Sequence, residues 1–171
     1  MKTKKTILYL LAAMMVATAS SCNSGDPHGE NLPIGHKIPE FSVVTLDGVG
    51  YDDKTFQGNN EYFAILVFKA DCGLCEVRAH QLKHTLPEFY PILGFSISSE
   101  EDTKEFLESN ELKNFLPTAV VTDKDFISKF LQNEPPAILV FNENGILIDK
   151  ILKENYTKDE LLARMVKDPT K

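Results

Sequence analysis

Two stretches of the chain are apolar almost without interruption. "YFAILVF" (62–68) shows no polar alternation, as expected for a strand covered on both faces. "PILGFSIS" (91–98) is a second strand of the same buried kind, and the stretch between them predicts a helix ending near Leu86, before Pro87. In "SSEEDTKEFLESN" (98–110), Ser98 and Glu101 have capping-box spacing for the next helix. "TAVVTD" (118–123) fits a short strand and "KDFISKFL" (124–131) a short helix. "PAILVFNENGILIDKIL" (136–152) reads as two strands around an Asn-Gly turn, and Thr157 with Glu160 forms a capping box for a last helix. Nearer the start, "FSVVTL" (41–46) looks like a strand, and "DGVGYDD" (47–53) supplies turn residues for a hairpin. The order predicts an α/β fold on a mixed sheet with a parallel centre and an antiparallel edge hairpin.

The first residues follow a different pattern. Lys2, Lys4 and Lys5 precede the apolar run "ILYLLAAMMVA" (7–17), which is shorter than the roughly 20 residues of a membrane-spanning helix. Small residues then lead to Cys22 in "ATASSC", the build of a secretory signal peptide. The stretch resembles a bacterial lipobox, whose cysteine is lipidated and becomes the mature N-terminus; Ala19 stands where leucine is usual. The expected organisation is a signal peptide over 1–21, a lipidated N-terminus with a polar tether over 22–33, and one domain over 34–167. The mature protein is then expected to be held at a membrane on its extracytoplasmic side, periplasmic or at the cell surface. The net charge of −7 becomes −10 without Lys2, Lys4 and Lys5, which argues against nucleic acid and against electrostatic binding of anionic lipid.

Of three cysteines, lipidation of Cys22 leaves Cys72 and Cys75, in "FKADCGLCEVRAH" (68–80). The pair reads as a metal clip, a structural staple or a redox dithiol. A bridge closing so short a loop adds little stability through chain entropy, so a staple is the weakest reading. Zinc needs about four ligands, and the nearby candidates are His80 and His84. At about 100° per residue they lie about 140° and 180° around the helix from Cys75, too far round to share an ion with it. They read as surface residues, with Glu76 and His80 at ion-pair spacing. The dithiol reading has a mechanism. Cys72 falls where a buried strand hands over to a helix, so unpaired N–H groups at the helix N-terminus favour its thiolate. Cys75, one turn further in, is placed to attack a mixed disulfide and release the partner.

With these residues the chain resembles the thioredoxin superfamily, in particular the membrane-anchored, extracytoplasmic thiol–disulfide oxidoreductases of bacteria, over about residues 34–166. "IGHKIPEFSVVTLDG" (34–48) is similar to their N-terminal extension and "AILVFKADCGLC" (64–75) to their strand and redox motif. The resemblance implies a thioredoxin-like mixed sheet with flanking helices and an N-terminal hairpin extension. It implies Cys72 and Cys75 as catalytic residues. It also implies a cis-proline at Pro136 of "PPAILVFNENG", with the backbone at Pro135 left free to meet a substrate chain. Three positions depart from the usual pattern. Asp71 replaces a common Trp, and its carboxylate opposes thiolate formation at Cys72. Gly73-Leu74 replaces Gly-Pro. Leu66 stands where a buried acid often assists proton transfer, a task open to Glu76, Asp71 or water.

Peroxiredoxins share the fold and form a rival reading, but their Thr-x-x-Cys pattern would need threonine at Lys69. A copper carrier and a non-enzymatic lipoprotein keeping the fold are further alternatives. The favoured expectation is reduction of disulfides in exported proteins, with re-reduction by a membrane or thioredoxin-like electron donor. No nucleotide or flavin signature is present, so no bound cofactor is expected.

Overall fold

The computed structural model describes residues 32–55, 57, 61–87, 90–131, 134–152 and 156–165. The signal peptide, Cys22 and most of the tether read from the sequence lie outside the described residues. The central element is β3 (Tyr62–Phe68), the run without polar alternation. Around it lie β4 (Ile92–Ser96), β5 (Thr118–Val120), β6 (Ala137–Asn142) and β7 (Leu147–Ile151), in the order β5-β4-β3-β6-β7. β3 pairs parallel with β4 and antiparallel with β6, so the sheet is mixed as expected.

Burial on both faces explains the unbroken apolar runs. Successive side chains of a strand point to opposite faces. Phe63, Ile65 and Val67 therefore join one core cluster, and Ala64, Leu66 and Phe68 join another. The second cluster lies beneath α1 (Gly73–Thr85), α2 (Glu100–Ser109) and α4 (Lys158–Met165), which contribute Leu82, Phe106 and Leu161. On the opposite face lie Ile38 and Phe41 of the N-terminal segment, with Phe126 and Phe130 at α3 (Lys124–Ser128) and just beyond it. In β4, Gly94 is required by close packing, because a Cβ there would stand 2.6 Å from Thr118 Oγ1.

The N-terminal segment crosses this face from one sheet edge to the other. Gly35 N–H donates to Leu147 O at 2.8 Å beside β7, and Leu46 N–H donates to Thr118 O at 2.8 Å on β5. Between these ties, β1 (Ser42–Val44) and β2 (Gly50–Asp52) form the expected hairpin as a separate two-stranded sheet. Thr157 and Glu160 make the expected reciprocal cap on α4. The cap of α2 is one residue later than expected: Ser99 Oγ accepts from Asp102 N–H. Among the described residues, no helix is long and apolar enough to cross a membrane.

Candidate functional site: a dithiol at the start of a helix

The chain leaves β3 at Phe68, and the next four residues carry it to α1. Cys72 is the N-cap of that helix, with extended backbone. Its Sγ accepts the Cys75 N–H at 3.2 Å, the role a Ser or Asp oxygen usually fills. One helix-terminal donor thus points directly at the sulfur. Both cysteines are free thiols; Cys72 is partly accessible and Cys75 fully buried.

The two sulfurs have different surroundings. Cys75 belongs to the apolar cluster under α1, and burial pushes its thiol up to about 12, with the hydrogen bond to Cys72 adding to the effect. The Lys69 N–H donates to Cys75 Sγ at 3.5 Å, a long contact of the kind sulfur accepts. Around Cys72 the groups are charged. Asp71 Oδ2 lies 2.8 Å from Lys69 Nζ, and this bond holds the Asp71 carboxyl below its ordinary value. Glu76 is exposed in the first turn of α1. Asp71 and Glu76 line a groove of about 640 Å³ that continues to Asp102 and Glu105 of α2.

The loop before Cys72 is held by a residue read differently from the sequence. Ser98, expected to cap α2, instead accepts the Ala70 N–H at 2.9 Å. A chain of hydroxyls stands behind it: Ser98 N–H donates to Ser96 Oγ at 3.3 Å, and Ser96 Oγ lies 2.7 Å from Thr103 Oγ1. The Thr103 hydroxyl donates to Ser99 O, so the Ser96 hydroxyl is the donor to Thr103. α2 and β4 are thereby tied to the cysteine loop.

The Pro135–Pro136 peptide bond is cis, as the resemblance implied. Pro136 is buried and Pro135 partly exposed. Ala137 pairs with Val67, so Pro136 comes beside Phe68, at the sheet end from which the cysteine loop departs. Leu66, at the position where a buried acid often stands, is fully enclosed in the core. His80 does not pair with Glu76: its Nε2 lies 3.0 Å from Asn110 Oδ1, and its ring lies parallel to that of His84 with centroids 6.2 Å apart. Among the described residues, no group of three or more His, Cys, Asp or Glu is gathered as a metal site would need.

Arg78, one turn beyond Cys75, is 1% exposed and carries no signature of its own in the sequence. Its Nη2 donates to Leu152 O at 3.3 Å and its guanidinium lies 5.4 Å from the centre of the Tyr156 ring. These contacts tie α1, and with it the cysteines, to the segment between β7 and α4.

The sheet order and flanking helices agree with solved structures of one architecture. A thiol:disulfide interchange protein from Bacteroides sp. superposes with a TM-score of 0.62 at 21% identity, over 81% of this chain and 93% of that one. The thioredoxin domain of a thiol-disulfide oxidoreductase from Bacteroides vulgatus gives 0.60 at 21% identity, over 77% and 94%. The exposed lipoprotein thioredoxin of Streptococcus pneumoniae gives 0.59 at 18% identity, over 74% and 98%. The fold is thioredoxin-like. Neither a family model nor a curated protein matches the sequence. In this thioredoxin-like frame, the N-terminal segment and hairpin cover one face of the sheet, and the dithiol stands at the C-terminal end of the central strand.

Proposed function

We propose that the protein is a thiol–disulfide oxidoreductase that reduces disulfides of exported proteins through Cys72 and Cys75. The observation that carries this reading is the asymmetry of the pair: an accessible Cys72 sulfur accepts a helix-terminal N–H while the Cys75 thiol is enclosed one turn beneath it. The solved structures it resembles, named as thiol–disulfide oxidoreductases and thioredoxins, support redox chemistry in general terms.

In the proposed cycle the Cys72 thiolate attacks one sulfur of a substrate disulfide. A Cys72–substrate disulfide forms and the other substrate sulfur leaves as a thiolate. Cys75, after losing its proton, attacks Cys72 Sγ and releases the second substrate thiolate. The substrate has gained two electrons, and the enzyme holds a Cys72–Cys75 disulfide. Pro135 and Pro136 present the backbone against which a substrate chain lies, and Asp71 and Glu76 set the charge around the attacking sulfur. Re-reduction falls to a membrane or thioredoxin-like donor. Lipidation at Cys22 after removal of residues 1–21 holds the domain on the extracytoplasmic side of a membrane, consistent with a fold shared by an exposed lipoprotein.

The test is the redox equilibrium of the Cys72–Cys75 pair against glutathione, with Cys72→Ser as control. A potential near or below about −230 mV supports electron delivery to substrates, and one near about −120 mV makes the protein a disulfide donor instead. If no reversible dithiol forms, the catalytic reading fails.

A further inference from the structure

Lys69 has one contact with each half of the dithiol site. Its backbone N–H donates to Cys75 Sγ at 3.5 Å, and its ammonium lies 2.8 Å from the carboxylate of Asp71, the residue preceding Cys72. Both side chains of that ion pair are largely in solvent, 48% and 70% exposed. Such pairs add little to stability. This one stands instead on the residue preceding Cys72, where the sign of the local charge has consequences.

We propose that Lys69 is a positioning residue for both thiols: its ammonium offsets the Asp71 carboxylate and so favours the Cys72 thiolate, while its N–H orients the Cys75 sulfur. The proposal rests on Cys72 being the attacking thiol. A carboxylate so near a thiol opposes its ionisation; paired with Lys69, Asp71 instead holds a cation in the loop that leads into Cys72. The surrounding charges agree with this role. The bond from Asp71, with the charges of Cys72 and Glu134 behind it, raises the Lys69 ammonium above its ordinary value, so it stays charged throughout the neutral range. Glu134 belongs to the segment entering β6, Glu76 to α1, and Asp102 and Glu105 to the α2 side of the adjoining groove. All four are acidic, and among the described residues lining the groove Lys69 is the one cation. A neutral side chain at position 69 would leave the described lining of that groove with carboxylates and no cation.

The measurement is the rate of alkylation of Cys72 by iodoacetamide in the reduced full-length chain. It is read at that residue by peptide mass spectrometry, across pH and at two salt concentrations. It uses no disulfide substrate, so it gives a result even if the oxidoreductase reading fails. Lys69→Met is expected to slow alkylation at pH 7 by about threefold, the scale of an exposed ion pair, and to move the whole profile to higher pH. Lys69→Arg should restore the wild-type profile. Asp71→Asn should speed alkylation, and the K69M/D71N double variant should return close to wild type, because the two charges act through each other. High salt should shrink every difference. A K69M profile that overlies wild type overturns the proposal. So does a K69R profile as slow as K69M, since that would assign the effect to lost packing.

Discussion

Cys72 and Cys75 are one helical turn apart, yet they occupy different media. Below, Cys75 is enclosed with Ala64, Leu66, Phe68, Ala79 and Leu82 and has no exposed surface. Above, Cys72 packs against the edge of the same cluster but is partly accessible, and the charged Lys69, Asp71 and Glu76 lie within four residues of it along the chain. Each sulfur accepts one backbone N–H, from Lys69 to Cys75 and from Cys75 to Cys72. The difference between them is therefore one of burial and charge, not of hydrogen-bond count. A thiol in hydrocarbon keeps its proton, and the resolving position is the enclosed one. The fold sets this asymmetry without a buried acid, since Leu66 stands at that position.

The strongest way to break the comparison is to remove the lower thiol. Cys75→Ser leaves Cys72 able to attack and nothing to resolve the product. Turnover with a disulfide substrate is expected to fall below detection while a stable mixed disulfide accumulates on Cys72, visible as a mass increase that dithiothreitol removes. Cys72→Ser should abolish turnover with no adduct at Cys75. Equal adducts in the two variants would mean that the wet and dry sides are not distinct chemically.

Much of this arrangement was legible in the sequence, for physical reasons that differ by element. β3 and β4 could be read because strands buried on both faces must be apolar throughout, and the cysteine loop because a strand running into a helix start leaves one place for it. The cis-proline came from the likeness of "PPAILVFNENG" to a known motif, since no local preference specifies it. Ser98 was misread for an instructive reason. Ser98 and Ser99 each have an acidic residue three positions on, Glu101 and Asp102, so both satisfy the capping-box spacing. What decides between them is Ala70, 28 residues earlier, whose N–H claims the Ser98 hydroxyl. The ion pair of Lys69 with Asp71 was hidden likewise, because two charges two apart in a loop face one another only once the loop's shape is known.

A second prediction sharpens the comparison through pH. Burial raises the Cys75 thiol to about 12, while in the unfolded chain it titrates near its ordinary value of 9.0. The unfolded state therefore releases this proton first as pH rises. The contribution of Cys75 to stability is complete below about pH 9 and is lost as pH climbs toward 12. Reduced wild-type protein should lose Tm above pH 9 faster than Cys75→Ser does. Tyr90, whose hydroxyl is also raised by burial, adds an alkaline loss common to both and cancels in the difference. Parallel Tm curves from pH 8 to 11 would show that Cys75 is wetter than its enclosure implies.

The smallest expected effect separates two adjacent serines. Ser98→Ala leaves the Ala70 N–H without its acceptor, and Ser99→Ala removes the cap of α2; each is expected to cost about 1 kcal/mol of stability. Their consequences at the site should differ. Ala70 lies two residues before Cys72, so releasing it lets the loop wander and should reduce turnover several-fold, as small misplacements of a reacting group do. Ser99 touches no part of that loop, so its loss should leave turnover unchanged at temperatures well below Tm. Urea titrations give the stability of each variant, and disulfide reduction at 25 °C gives the activity. Equal turnover in the two variants would mean that α1 and β3 alone hold the cysteine loop, and that the bond from the Ala70 N–H to the Ser98 hydroxyl contributes only stability.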